Sequence, residues 1–126
     1  MRSFITALAI GAILVTGSIL YNKSIEKISD ELIRCNNNIL QLVYEDNFAD
    51  ADELINILNN YIDEKRVLLD ATGSHEEIDK IETCITELKE YNAHLCKADA
   101  IARIKTLDVL FTRMPKNYRL RPENIL

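Results

Sequence analysis

The apolar residues of this chain follow two patterns, one continuous and one periodic. Phe4 to Tyr21 is a run of 18 residues without a charge, flanked by Arg2 and Lys23. As an α-helix rising 1.5 Å per residue, the run spans about 27 Å, close to the thickness of the hydrocarbon core of a bilayer. It lacks the polar stripe that a helix of a soluble protein shows. The run therefore predicts a transmembrane helix.

The periodic pattern begins directly after the continuous one. From Ser24 to about Glu45, apolar positions recur at alternating intervals of three and four residues, which is typical of a heptad seam. No Gly- or Pro-rich linker separates the two patterns, so we expect one long helix that leaves the membrane unbroken. The seam consists of Ile25, Ile28, Leu32, Cys35, Ile39 and Leu42.

Capping residues divide the rest of the chain into three further predicted helices. The second begins near Asn47 or Asp50, both good N-cap residues, and ends at Gly73. Ser74 and Glu77 form an S-x-x-E capping box that starts the third helix. The predicted buried stripes are Ala51, Leu54, Leu58, Ile62 and Leu69 in the second helix, Ile78, Ile81, Ile85 and Leu88 with Tyr91 or Leu95 as alternative last members in the third, and Ile101, Ile104, Leu107, Leu110, Phe111 and Met114 in the fourth.

The expected end of the fourth helix is Pro115, because proline cannot donate a backbone hydrogen bond. Short connections favour antiparallel neighbours. The sequence therefore predicts an all-α protein in which an N-terminal transmembrane helix continues into an antiparallel bundle of about four helices. We assign residues 1–22 to the transmembrane anchor and residues 23–126 to the bundle with a short C-terminal tail.

Composition agrees with helices and adds a charge asymmetry. The chain has only 3 Gly and 2 Pro, too few turn formers for a sandwich or barrel, and its net charge of −5 argues against nucleic-acid binding. Residues 45–91 hold 14 acidic and 4 basic side chains (−10), whereas residues 92–126 hold 7 basic and 3 acidic ones (+4). One interpretation is pairing across the bundle. The other is contact with anionic lipid or an acidic partner, through Arg113, Lys116, Arg119 and Arg121.

One cluster has residue types that bind metals. His75 and Asp79 are four positions apart on one face of the third helix, Glu82 lies one step further, and Glu76 is adjacent. Nitrogen and oxygen ligands that converge in this way suit a transition metal. The alternative is a set of acidic residues that interact favourably with the N-terminus of a helix. Because no second His has suitable spacing, we predict no metal, no cofactor and no catalytic residue.

The three cysteines, Cys35, Cys84 and Cys96, allow at most one internal disulfide and contain no Cys-x-x-Cys pair. Two of them lie on or beside an apolar seam, where cysteine behaves as a small hydrophobic residue. We expect buried free thiols, with one disulfide as the alternative.

The chain resembles a bacterial family called domain of unknown function 4363. The similarity rests on the N-terminal apolar run, on HEEIDKIETCITELKEY from His75 to Tyr91, and on the ending around Met114-Pro115 and Leu120 to Leu126. The resemblance implies a helical architecture attached to a membrane, and it supplies no catalytic residues.

Together these features predict a non-enzymatic, single-pass protein of the bacterial cell membrane that acts as an interaction or accessory component. We expect a cytoplasmic N-terminus, a helical domain outside, and contact with membrane lipid and with another membrane or envelope protein. A small-residue row at Ser3, Ala7 and Gly11 would allow a homodimer. The alternatives are a metal-binding or hydrolytic enzyme that uses the His75 cluster, and a secreted soluble bundle released by signal-peptide cleavage.

Overall fold

Four helices account for nearly all of the chain that the computed structural model describes, which is residues 2–71 and 75–117. They are α1 (Arg2–Tyr44), α2 (Phe48–Asp70), α3 (His75–Ala93) and α4 (Lys97–Asn117). Each helix packs on its neighbours in the chain, and α4 also packs on α1, so the four close into a ring around one core. The predicted all-α antiparallel bundle is confirmed.

The first helix is one unbroken element of 43 residues. At 1.5 Å per residue it is about 64 Å long, roughly twice the length of any partner helix in the bundle. Its first 16 residues lie almost entirely outside the packed region, and close packing begins near Ser18 and Tyr21. The Tyr21 hydroxyl donates to the Leu68 carbonyl oxygen at 2.9 Å, which ties α1 to the end of α2. The prediction of a single long helix is confirmed.

The core follows the predicted stripes closely. Ile78, Ile81, Ile85 and Leu88 of the third helix are buried, whereas Tyr91 is half-buried and Leu95 is 64% exposed. The seam of α1 is buried at Ile25, Ile28, Leu32 and Ile39. The pattern missed Ile55 and Ala100, both 0% exposed. It also predicted Leu54 and Ile101 as core residues, but both are only partly buried at the edge of the core. Small residues and adjacent apolar positions are the ones for which periodicity alone leaves the inner face ambiguous.

Of the two N-cap candidates for α2, the structure selects Asn47. Its side-chain Oδ1 accepts a hydrogen bond from the backbone N–H of Asp50 at 3.3 Å, so Asp50 lies in the first turn instead. There its carboxylate is close to the positive end of the helix dipole. The predicted Gly73 helix end and the Ser74 cap lie outside the described residues.

The expectation that Pro115 ends α4 is wrong, since the helix continues to Asn117. A proline within a helix leaves the carbonyl four residues earlier, here Phe111, without its helical donor. The Ser29 hydroxyl of α1 donates to that carbonyl at 2.7 Å. Ser29 is only 2% exposed, so it replaces the missing N–H in a place that water does not reach. The contact thus supplies a donor to the carbonyl that the proline leaves without one.

Candidate functional site

Two buried hydrogen bonds set the register between α1 and α4. Ser29 reaches the Phe111 carbonyl, and seven residues later Asn36 donates to the Ile104 carbonyl at 2.9 Å. The two pairs are one heptad apart on both antiparallel helices. In this register, the end of α4 lies beside the part of α1 that follows the apolar run.

That register places four cationic residues at one end of the bundle. Lys116 lies level with Ser24, and Arg113 lies level with Lys27, while Lys23 lies one residue closer to the apolar run. The side chains of Lys23, Lys27, Arg113 and Lys116 are all exposed. Of the predicted contact residues, Arg119 and Arg121 lie outside the described residues.

Two other basic residues of α4 are engaged in ion pairs. Arg103 Nε lies 2.5 Å from the Glu87 carboxylate of α3, and Lys97 Nζ lies 2.9 Å from Asp46 in the α1–α2 connection. The sequence interpretation of internal pairing therefore holds for these two residues. Arg113 and Lys116 form no ion pair with any residue that the structure describes.

The His75 cluster is divided by the fold. His75 Nδ1 lies 3.5 Å from the Asp70 carboxylate of α2, and Glu82 accepts from Arg66 of the same helix. Glu76 and Asp79 instead line a groove between α3 and α4. Within residues 2–71 and 75–117, no three His, Cys, Asp or Glu side chains are arranged to hold a metal ion.

The cysteines are free, but they are less uniformly buried than expected. Cys84 is buried, whereas Cys35 and Cys96 are half-buried. The Cys84 thiol donates to the Arg103 carbonyl oxygen at 3.3 Å, and burial raises its pKa to about 11. Burial likewise raises the pKa of Cys35. At both positions burial therefore favours the neutral thiol over the thiolate, which is the nucleophilic form.

The groove between α3 and α4 is the feature that sequence reasoning missed. It has a volume of about 500 Å³ and is open to solvent, with Cys84 and Leu110 among its lining residues. Its edges carry Glu76, Asp79 and Lys80. A groove of this kind depends on the side-chain sizes at two facing helices, and periodicity along one helix contains no such information.

Comparison with known proteins identifies the family. The family model of the domain of unknown function 4363 matches residues 19–125, and the chain belongs to this family. The match begins where α1 enters the packed bundle and leaves out residues 1–18. No curated protein and no solved structure matches the chain.

Proposed function

We propose that this chain is a single-pass membrane protein whose helical bundle is a non-enzymatic interaction module that contacts another membrane or envelope protein. The carrying observation is the exposure of the first part of α1. Eight of its large apolar side chains are 42–70% exposed. They are Phe4, Ile5, Leu8, Ile10, Ile13, Val15, Ile19 and Leu20.

Lipid is the environment that removes this surface from water. Burial of one large apolar side chain is worth about 1.5–3 kcal/mol. Residues 2–44 also form the one described helix that is long and apolar enough to cross a membrane, and its most apolar window is only 6% buried. A core helix of a soluble protein would be covered by its neighbours. This segment is not, which supports an anchor.

The cationic end of the bundle fits the proposed membrane attachment. Lys23, Lys27, Arg113 and Lys116 all lie where α1 leaves the apolar segment, so the proposed anchor places them next to the lipid headgroups. Each basic residue adds about 1 kcal/mol near an anionic surface. That energy orients the bundle on the membrane, whereas the apolar helix anchors it. We propose a cytoplasmic N-terminus with the bundle on the outer side.

Membrane fractionation with protease accessibility tests the proposal. We expect the full-length chain in the carbonate-resistant membrane fraction, with its bundle degraded when protease is added outside.

Photo-crosslinking from intact membranes is expected to yield a defined heteromeric product. Intact-mass measurement tests the alternative of a secreted bundle. A mature chain that starts near residue 18 and is found in the soluble fraction would show that the protein is secreted and not anchored. Only monomer after crosslinking would contradict the interaction role.

A further inference from the structure

A cavity between α1 and α2 lies at the end of the bundle from which the apolar run extends. Its volume is about 320 Å³, and it is more enclosed than the α3–α4 groove. Both helices contribute polar side chains to its lining: Ser24, Lys27 and Glu31 from α1, and Tyr61 and Lys65 from α2. Sites for small molecules begin at about 300 Å³. The α1–α2 cavity therefore has the size and the lining for one small polar group.

In the proposed anchored arrangement, this cavity lies at the level of the lipid headgroups. The Tyr21 hydroxyl donates to the Leu68 carbonyl oxygen, so these two residues mark one height at the end of the apolar run. Ser24 follows Tyr21 by three residues and Lys65 precedes Leu68 by three, which places both about 4.5 Å beyond that height. The headgroup layer is about 5–7 Å thick on each side of the hydrocarbon core. A headgroup beside α1 is therefore within reach of the cavity.

The cationic side chains of the cavity come from both helices. Neither Lys27 nor Lys65 forms an ion pair with any residue in the described part of the chain. Lys65 Nζ instead lies 5.5 Å from the centroid of the Tyr61 ring, a cation–π contact. Lysine binds phosphate as a point charge with three N–H donors. The two lysines thus offer a pair of ammonium groups to a phosphate.

The same cavity contains hydrogen-bond acceptors. The Tyr61 hydroxyl donates to Glu31, and burial together with this hydrogen bond raises the pKa of Tyr61, so the phenol stays protonated. The Glu31 carboxylate keeps further lone pairs beside the one that Tyr61 uses. The Ser24 hydroxyl donates to the Leu20 carbonyl oxygen at 3.0 Å, which leaves the Ser24 oxygen as an acceptor. Two ammonium groups and one carboxylate give the lining a formal charge of +1.

We propose that the α1–α2 cavity binds the headgroup of an anionic glycerophospholipid whose terminal group carries hydroxyls, as in phosphatidylglycerol. The phosphodiester, with its single negative charge, meets Lys27 and Lys65, and the hydroxyls donate to Glu31 and Ser24. This headgroup neutralises the positive lining, whereas a zwitterionic headgroup brings a third ammonium group into it. The assignment rests on the proposed membrane attachment and adds a specific lipid contact to it.

Titration of the full-length chain in detergent micelles with short-chain lipids tests the assignment. The probes are dihexanoyl phosphatidylglycerol and dihexanoyl phosphatidylethanolamine, which share their acyl chains and differ in the headgroup. We expect saturable shifts of the Ile28 and Leu68 methyl NMR signals, since both residues line the cavity. Phosphatidylglycerol should bind about fivefold more tightly. Equal affinity for both lipids, or no saturable response, would overturn the proposal.

Soluble phosphates distinguish a lipid from a free ligand with the same chemistry. Glycerol phosphate and inorganic phosphate carry the charged group without the acyl chains that concentrate a lipid at the micelle surface. We expect both to bind about tenfold more weakly than phosphatidylglycerol, because they lack this local concentration. A soluble phosphate that binds as tightly as the lipid would overturn the lipid assignment.

Two lysine substitutions with the same change of charge form a matched pair. Lys65 lines the cavity, whereas Lys23 lies beside the apolar run and outside the lining. We expect Lys65→Gln to weaken phosphatidylglycerol binding about fivefold and Lys23→Gln to change it less than about twofold. Lys65→Arg keeps the charge and should retain binding. An equal loss in both Gln variants would show diffuse attraction to the membrane surface and would overturn the site.

The lysine variants should remain folded, because glutamine has nearly the helix propensity of lysine. Circular dichroism checks this before the titration, and Lys65→Met, which also removes the charge from a good helix former, is the second variant with the same expected loss of binding.

Failure of the cavity assignment is distinguishable from failure of the membrane proposal. A chain found in the soluble fraction that still binds phosphatidylglycerol with saturation would overturn the anchor and support the cavity. A chain that stays in the membrane fraction but binds both lipids equally would overturn the cavity assignment and leave the anchor in place.

Discussion

The two parts of α1 belong to one helix yet occupy opposite environments. Ile13 is 70% exposed, whereas Ile39, the same residue type 26 positions later, is 0% exposed. The difference lies in the pattern around each residue: the residues around Ile13 are uncharged and mostly apolar on every face, while polar side chains alternate with the seam around Ile39. An all-round apolar surface favours lipid, and a one-sided apolar surface favours a protein core. The predictions below test this contrast, from the largest expected effect to the smallest.

A charge in the middle of the apolar part should release the chain from the membrane without unfolding the bundle. Arginine at the centre of a transmembrane helix costs about 2.5–3.5 kcal/mol, which corresponds to a partition change of about a hundredfold. We expect Ile13→Arg to move the chain out of the carbonate-resistant fraction, with the Tm of the bundle unchanged. Ile13→Leu is the control. A variant that stays in the membrane fraction would refute the anchor.

The converse variant is Ile39→Ala, which should destabilise the bundle and leave membrane attachment intact. Truncation of a fully buried isoleucine lowers the free energy of unfolding by about 2–5 kcal/mol. Chemical denaturation measures the loss, and Ile39→Val should cost only about 0.5–1.5 kcal/mol. If Ile39→Ala changed the membrane fraction while leaving stability unaltered, the assigned roles of the two parts would be reversed.

A smaller effect is expected where α1 compensates for the proline of α4. Ser29→Ala removes the donor to the Phe111 carbonyl and should lower the free energy of unfolding by about 1–3 kcal/mol. Pro115→Ala restores the helical N–H, so Ser29→Ala should cost less in that background. A double-mutant cycle by urea denaturation measures the difference. Equal costs in both backgrounds would show that Ser29 does not serve the proline.

The smallest effect concerns the α1–α2 and α3–α4 connections, in which Asp46 and Leu95 have left-handed backbone, with φ of 60° and 58°. Left-handed backbone costs a residue with a Cβ about 1–2 kcal/mol, and asparagine or aspartate tolerates it better than leucine. Leu95→Asn should therefore stabilise the bundle by about 1 kcal/mol and raise its Tm by about 4–8 °C. The reciprocal Asp46→Leu should lower the Tm by a similar amount. Calorimetry measures both shifts, and an unchanged Tm in both variants would show that the left-handed backbone does not cost leucine more than aspartate or asparagine at these positions.

Much of the fold could be read from the sequence because helices are local structures. The seam from Ile25 to Leu42 and the Asn47 cap depend on residues within a few turns of each other. Less of the candidate site could be predicted from the sequence. His75 and Glu82 share a face of α3 by spacing, yet each meets a different residue of α2, and only the packing of the two helices decides that.

The failed expectation at Pro115 shows the same difference between local structure and packing between helices. Proline's effect on its own helix is local, and it correctly indicates that the Phe111 carbonyl loses a donor. The replacement comes from Ser29, 82 residues away in the chain. No pattern within α4 contains that information.

Periodicity and capping along the chain were thus sufficient for four helices and for an apolar segment without a polar face, and resemblance to known sequences supplied the family. The tertiary structure decided which polar groups meet in the core and that a groove opens between α3 and α4 beside Cys84. The physical reason is that backbone hydrogen bonds join residues four apart, whereas packing joins side chains from separate helices whose sizes and donors must match.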